Sequence, residues 1–135
     1  MLKLSKKVEY ALMAARFMAL QNSSRFSSAR EIAESYQIPY PLVSKVLQSL
    51  VKRNIAVSVK GVNGGFSLSR RPEQISLLDI ITAVDTNFRI VDCMQSNGIS
   101  VDCKHFDCCK IKDPLAEVQR KIDKVFVETS IAQIL

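Results

Sequence analysis

Residues 5–20 carry apolar side chains almost all the way round a helical repeat: Val8, Tyr10, Ala11, Leu12, Ala14, Ala15, Phe17 and Met18. A helix with so little polar face is buried on most sides, and Ser5 stands where an N-cap belongs. The polar stretch QNSSRFSS breaks the pattern. Ser28 then caps a second helix, AREIAESY, whose Ile32, Ala33 and Tyr36 share an inward face. QIP ends that helix. Pro41 suits the first turn of a third, because its missing N–H costs nothing there. In that third helix, PLVSKVLQSLVKRN, the spacing predicts a core stripe of Leu42, Val46, Leu47, Leu50 and Val51. Ser44, Lys45, Gln48 and Lys52 fall on the opposite side.

The period then changes from helical to alternating. IAVSVKGVNGGFSLSR predicts two strands, near 55–60 and 66–70, joined by a turn containing Asn63-Gly64-Gly65. Asn-Gly is a strong hairpin signal because both positions tolerate positive φ. Helical periodicity returns in ISLLDIITAVD (75–85), with Ser76 as its cap. An irregular stretch follows, with a turn at Asn97-Gly98. After Pro114, Leu115, Val118, Ile122 and Val125 recur at spacings of three, four and three, a heptad seam set among Lys, Glu, Arg and Asp. Such a helix most simply pairs with its own copy, so a homodimer is expected. The other arrangement is a helix folded back on its own domain. The fold class expected is mainly α with a small β-hairpin wing: a winged helix-turn-helix plus a long C-terminal dimerisation helix. The chain divides into a DNA-binding domain (1–86), a cysteine-rich loop (87–112) and the dimerisation helix with its tail (113–135).

Charge sharpens this reading. Residues 1–72 hold 12 Lys/Arg against 3 Asp/Glu, whereas residues 73–135 hold 7 against 10. A basic front half suits a polyanion. Two short helices across a tight break form a helix-turn-helix, whose second helix lies in the major groove. Tyr40, Ser44, Lys45 and Gln48 are the side chains so presented. The hairpin after it is a wing, bringing Lys60, Asn63, Arg70 and Arg71 to the DNA backbone or minor groove. A two-fold dimer implies a palindromic operator in double-stranded DNA. A Gly-rich phosphate loop, a nucleophile elbow and a second histidine are all missing, which argues against an enzyme. Glu9 and Arg16 interrupt any signal-peptide core, and no apolar run is long enough to span a bilayer. The expectation is a cytoplasmic protein with no membrane partner.

All four cysteines and the single histidine lie in VDCMQSNGISVDCKHFDCCK, residues 91–110. In a reducing compartment, gathered thiols point to metal or redox chemistry more than to a disulfide framework. Three thiolates suit a soft metal or an iron–sulfur cluster. A tetrahedral zinc site from Cys93, Cys103 and Cys108 with His105 or Cys109 is a second possibility, weakened by the lack of a C-x2-C spacing. A cluster-free thiol switch at Cys108 or Cys109 is a third.

Over nearly its whole length the chain resembles the IscR/NsrR/BadM (Rrf-type) family of bacterial winged-helix regulators. The resemblance rests on LSKKVEYAL, AREIAESYQIP, LVSKVLQSLVKRNI, the wing KGVNGGFSLSR, ISLLDIITAVD, then VDC and C-x5-C-K-I-K-D-P-L. It implies an iron–sulfur cluster, 2Fe–2S or 4Fe–4S, on Cys93, Cys103 and Cys109, used to sense redox state, nitric oxide or iron–sulfur status. Two features depart from the pattern: nine residues separate Cys93 from Cys103, and Lys112 occupies the place of the histidine ligand of some members. For the fourth ligand the resemblance implies Glu9 of the partner subunit; Cys108 is the alternative, and His105 is read as a solvated loop residue.

Overall fold

The computed structural model describes residues 3–21, 25–91 and 109–135. Helix α1 (Lys6–Leu20) runs through the centre of the molecule, as its all-round apolar surface requires. Val8, Ala11, Ala14, Ala15 and Met18 are buried, and most of the elements described below pack against it. Ser5 caps it, its Oγ accepting from the Val8 N–H at 3.4 Å. Helix α2 (Ala29–Tyr36) opens with a reciprocal capping box. Ser28 Oγ accepts from the Glu31 N–H at 3.0 Å, and Glu31 Oε2 accepts from the Ser28 N–H at 3.3 Å. Gln37 in the left-handed region ends α2.

Helix α3 (Tyr40–Lys52) begins with Pro41 in its first turn. Its buried stripe is Val43, Val46, Leu47 and Leu50, spaced at three, one and three. The expected stripe is therefore corrected at both edges. Leu42 is 41% exposed and Val51 is half-buried, while Val43, absent from the expectation, is 1% exposed. The helix starts at Tyr40, and the turn of chain from α2 aims Val43 rather than Leu42 at the core.

Strands β1 (Ala56–Val59) and β2 (Gly65–Leu68) pair antiparallel, Ala56 opposite Leu68 and Val59 opposite Gly65. Ser27 adds a short third edge, exchanging backbone bonds of 2.9 and 2.7 Å with Phe66. The hairpin is as expected but its turn chemistry is not. The five-residue connection closes through the Gly64 N–H and the Gly61 carbonyl at 3.1 Å, and positive φ falls on Gly61 and Gly65 rather than on Asn63 and Gly64. Gly65 is needed twice over: its φ is +140°, and a Cβ there meets the Ser27 carbonyl oxygen at 2.5 Å.

A 3-10 turn (Pro72–Gln74) leads into α4 (Leu77–Val84), which a second capping box between Ser76 and Asp79 starts, at 3.0 and 3.1 Å. The last long helix, α5 (Lys112–Glu128), packs against α4. The chain then turns back into the core. Ile131 is fully buried, its N–H bonds the Ile75 carbonyl at 2.9 Å, the Leu77 N–H bonds the Thr129 carbonyl at 2.8 Å, and Arg16 Nε donates to the Ile134 carbonyl at 3.3 Å. The tail beyond α5 is thus part of the winged-helix core and tethers the far end of that helix to it. No helix among the described residues is long and apolar enough to cross a membrane.

Ile131 fills space among α1 and Ile75, so Ile131→Ala leaves a cavity. It is expected to destabilise the fold by about 2–5 kcal/mol, read as a lower midpoint in urea denaturation with an unchanged slope. Wild-type stability would show that the tail does not close the core.

Candidate nucleic-acid interface

The outer ridge of α3 places Tyr40, Lys45, Gln48 and Lys52 in solvent, with Ser44 half-buried between them. Gln48 Nε2 donates to Ser44 Oγ at 3.5 Å, a weak bond that leaves the amide free to turn toward a base edge. Tyr40, the first residue of α3, lies under the Arg30 guanidinium, 5.5 Å from the ring centroid. A cation over the ring fixes the tyrosine and adds a positive charge beside it. Lys60, exposed, follows β1, and Asn63 is exposed at the tip of the wing between Val62 and Gly64. Arg70 is exposed at the base of the wing, where its guanidinium lies 3.7 Å from Asp79. An ion pair this exposed contributes little and opens readily. Gln48 joins Lys45 along the α1 side of α3 and Lys60 along its wing side, whereas Tyr40 and Arg70 line separate hollows, the first beside α2 and the second beside the end of α1.

Sequence reasoning missed Lys6 and Lys7. Both stand in the first turn of α1 and line a groove shared with Lys45, Gln48 and Lys52 of α3. Their basic doublet is visible in the sequence, but only the packing of α1 against α3 puts it beside the outer ridge of α3. Lys6 Nζ also binds Glu9 Oε2 at 2.8 Å. That hydrogen bond and the neighbouring carboxylate charge raise the pKa of Lys6 above its ordinary value. Glu9, 39% exposed, therefore sits in the first turn of α1 as a carboxylate held by one surface lysine.

Of the implied cluster ligands, Cys109 is described: a half-buried thiol three residues before α5. Cys93, Cys103, Cys108 and His105 lie outside the described residues, as does the expected turn at Asn97-Gly98. The chain entering that segment is fastened to α5. The Ile90 N–H donates to Gln119 Oε1 at 2.8 Å, and Gln119 Nε2 donates to Asp123 at 2.8 Å. Phe88 meets Phe126 edge to face at 5.6 Å. Gln119 is buried, and nothing in the heptad reading marked it. Its signal is its place four residues after Leu115 and three before Ile122, on the inner face of the helix. On the outer face, Val118 and Val125 remain 43% and 60% exposed.

Comparison with known proteins places this arrangement in a group. The sequence profile of the Rrf2 family, described as an iron-dependent transcriptional regulator, matches residues 4–135. A protein of Aquifex aeolicus described as an HTH-type transcriptional regulator is 33% identical over 97% of this chain and 90% of its own length. Among solved structures, T. potens IscR superposes with a TM-score of 0.74 at 26% identity, covering 98% of this chain and 85% of that one. CymR, the global cysteine regulator of B. subtilis, superposes at 0.76 over 99% of this chain and 96% of its own, but at 19% identity it is a likeness of fold alone.

The side chains on the α3 ridge and on the wing have different expected effects. Lys45→Ala and Gln48→Ala should each reduce discrimination between operator and random DNA by about 1–3 kcal/mol. Lys60→Ala should weaken both duplexes alike, because a phosphate goes without its cation. Competition titrations at one salt concentration separate the two, and unchanged sequence preference in the α3 variants would remove the recognition role of that ridge.

Proposed function

The chain belongs to the Rrf2 family of transcriptional regulators, and on that premise we propose that it is a homodimeric regulator whose grip on a palindromic operator is set by an iron–sulfur cluster on its cysteine segment. Its relatives are DNA-binding regulators, not enzymes. The observation that carries the sensing reading is the anchoring of the cysteine segment at both ends on one helix. Its entry is held on α5 by Gln119 and Phe126, and its exit through Cys109 is the start of α5. The other end of α5 is joined to the winged-helix core through Ile131. Tension or release among the cysteines acts on a rod that the reading head shares.

The donor set suits an iron–sulfur cluster by its chemistry. Cys93, Cys103 and Cys109 would supply three thiolates, which are soft ligands for iron. Glu9 of the partner subunit, or Cys108, would supply the fourth. A carboxylate is the harder and more exchangeable ligand, and the exposed lysine that holds Glu9 in this structure releases it at little cost. When bound, the cluster would supply a cross-link that oxidants or nitric oxide can undo. Cys109 and the start of α5 would be displaced by its loss, and Ile131 would pass that displacement to Ile75 and α1. The seam of Leu115, Val118, Ile122 and Val125 supports the dimer, because its outermost valines are uncovered by the chain's own domain. A second copy removes that apolar surface from water.

Protein reconstituted anaerobically with iron and sulfide is expected to be brown, with visible absorption and stoichiometric iron. Cys109→Ser should lose the colour, and Glu9→Ala should retain iron but shift the visible or Mössbauer spectrum. Colourless protein holding zinc, or no metal after every loading, would overturn the proposal.

A further inference from the structure

Helix α3 stands as a ridge between two troughs. One, of about 520 Å³, separates it from the first turns of α1, and Lys6, Lys7, Lys45 and Lys52 ring a floor that includes Tyr10 and Leu42. The other, of about 490 Å³, separates α3 from the wing and runs past Val59 and Lys60. Gln48 and Lys52 line both troughs, so the ridge between them is narrow. A duplex that takes such a ridge into its major groove, roughly 12 Å wide, brings one sugar–phosphate strand down each flank.

The trough beside α1 matches such a strand in both of its surfaces. Its apolar floor suits deoxyribose, and its lining holds four lysines and no acidic side chain. Lys7, Lys45 and Lys52 have no ion-pair partner among the described residues. Lys6 is engaged by Glu9, but in an exposed pair that solvent screens strongly. The exposure of Leu42, an error in the expected core stripe, is explained by this floor. We propose that the α1–α3 trough seats one sugar–phosphate strand of the DNA, with Lys6 and Lys7 as phosphate contacts, while the wing-side trough and Lys60 take the other strand. The inference rests on the DNA-binding reading of the winged helix and adds a basic pair that lies outside both the helix-turn-helix and the wing.

The test needs no operator. The chain of residues 1–135 is titrated by fluorescence anisotropy with a random-sequence duplex over a series of salt concentrations. Lys7→Ala is expected to lower affinity about tenfold near 0.1 M salt and to flatten the slope of log K against log salt by about 0.9 for each phosphate that is no longer neutralised. The Lys6→Ala, Lys7→Ala double variant should flatten it further, with helix content by circular dichroism unchanged. Lys121→Ala, an equal charge loss on the exposed face of α5, should keep the wild-type slope. Wild-type slopes in both α1 variants, or equal slopes for Lys7→Ala and Lys121→Ala, would overturn the proposal. Wild-type protein without salt-dependent binding would instead overturn the DNA-binding reading beneath it.

Discussion

The burial of Ile131 among α1 and Ile75 is the constraint on which the rest of the arrangement depends. Helix α5 ends at Glu128, just before Ile131. Here the backbone bonds at Ile75 and Leu77 and the Arg16 contact with the Ile134 carbonyl fix its C-terminal end to the reading head. Fully burying an isoleucine side chain stabilises by about 1.5–3 kcal/mol, enough to keep that end in place through ordinary fluctuation. The N-terminal end, at Cys109 and Ile111, lacks any such burial, and Ile111 is exposed. In the proposed regulator, ligation at Cys109 would load the other end of this rod, which would then act as a lever.

The same asymmetry organises the chemistry. Gln119 and the Phe88–Phe126 contact return the chain to α5 before the cysteine segment begins, so the described residues on both sides of that segment lie at one helix. In the proposed regulator, ligation between two flanks already held at one helix would cost less chain entropy than ligation between free ends. Buried Gln119 is the polar exception on the inner face of α5, and both ends of its amide are satisfied. Its removal would leave the Ile90 N–H without a partner in a half-buried place.

What the sequence made legible follows the range of the interactions. The caps at Ser5, Ser28 and Ser76 were readable because each is settled within three residues, by a hydroxyl and a backbone N–H. The hairpin was readable from its alternation and glycines, yet the turn was misassigned. Three glycines in five positions (61, 64 and 65) leave the choice of positive φ to packing against Ser27, which is remote in sequence. The phase of α3 slipped at Leu42 because periodicity counts apolar residues and cannot see the trough that leaves one of them exposed. Lys6, Lys7, Gln119 and Ile131 were missed for one reason: each acquires its surroundings from an element far along the chain. The exposed residues of α3 and the wing were legible because a helix-turn-helix and hairpin place them by local geometry, whereas the cysteines were grouped by composition and by family resemblance.

In the proposed regulator, the ligation state of the cysteine segment governs how the winged helix holds DNA. The most direct measurement is the affinity of iron–sulfur-loaded and metal-free protein for one operator, selected from a random duplex pool, at a single salt concentration without oxygen. The two dissociation constants are expected to differ by tenfold or more, on the scale of a coupling of about 1.4 kcal/mol. Equal constants for the two forms, with the loaded form verified by its spectrum before and after the titration, would contradict it.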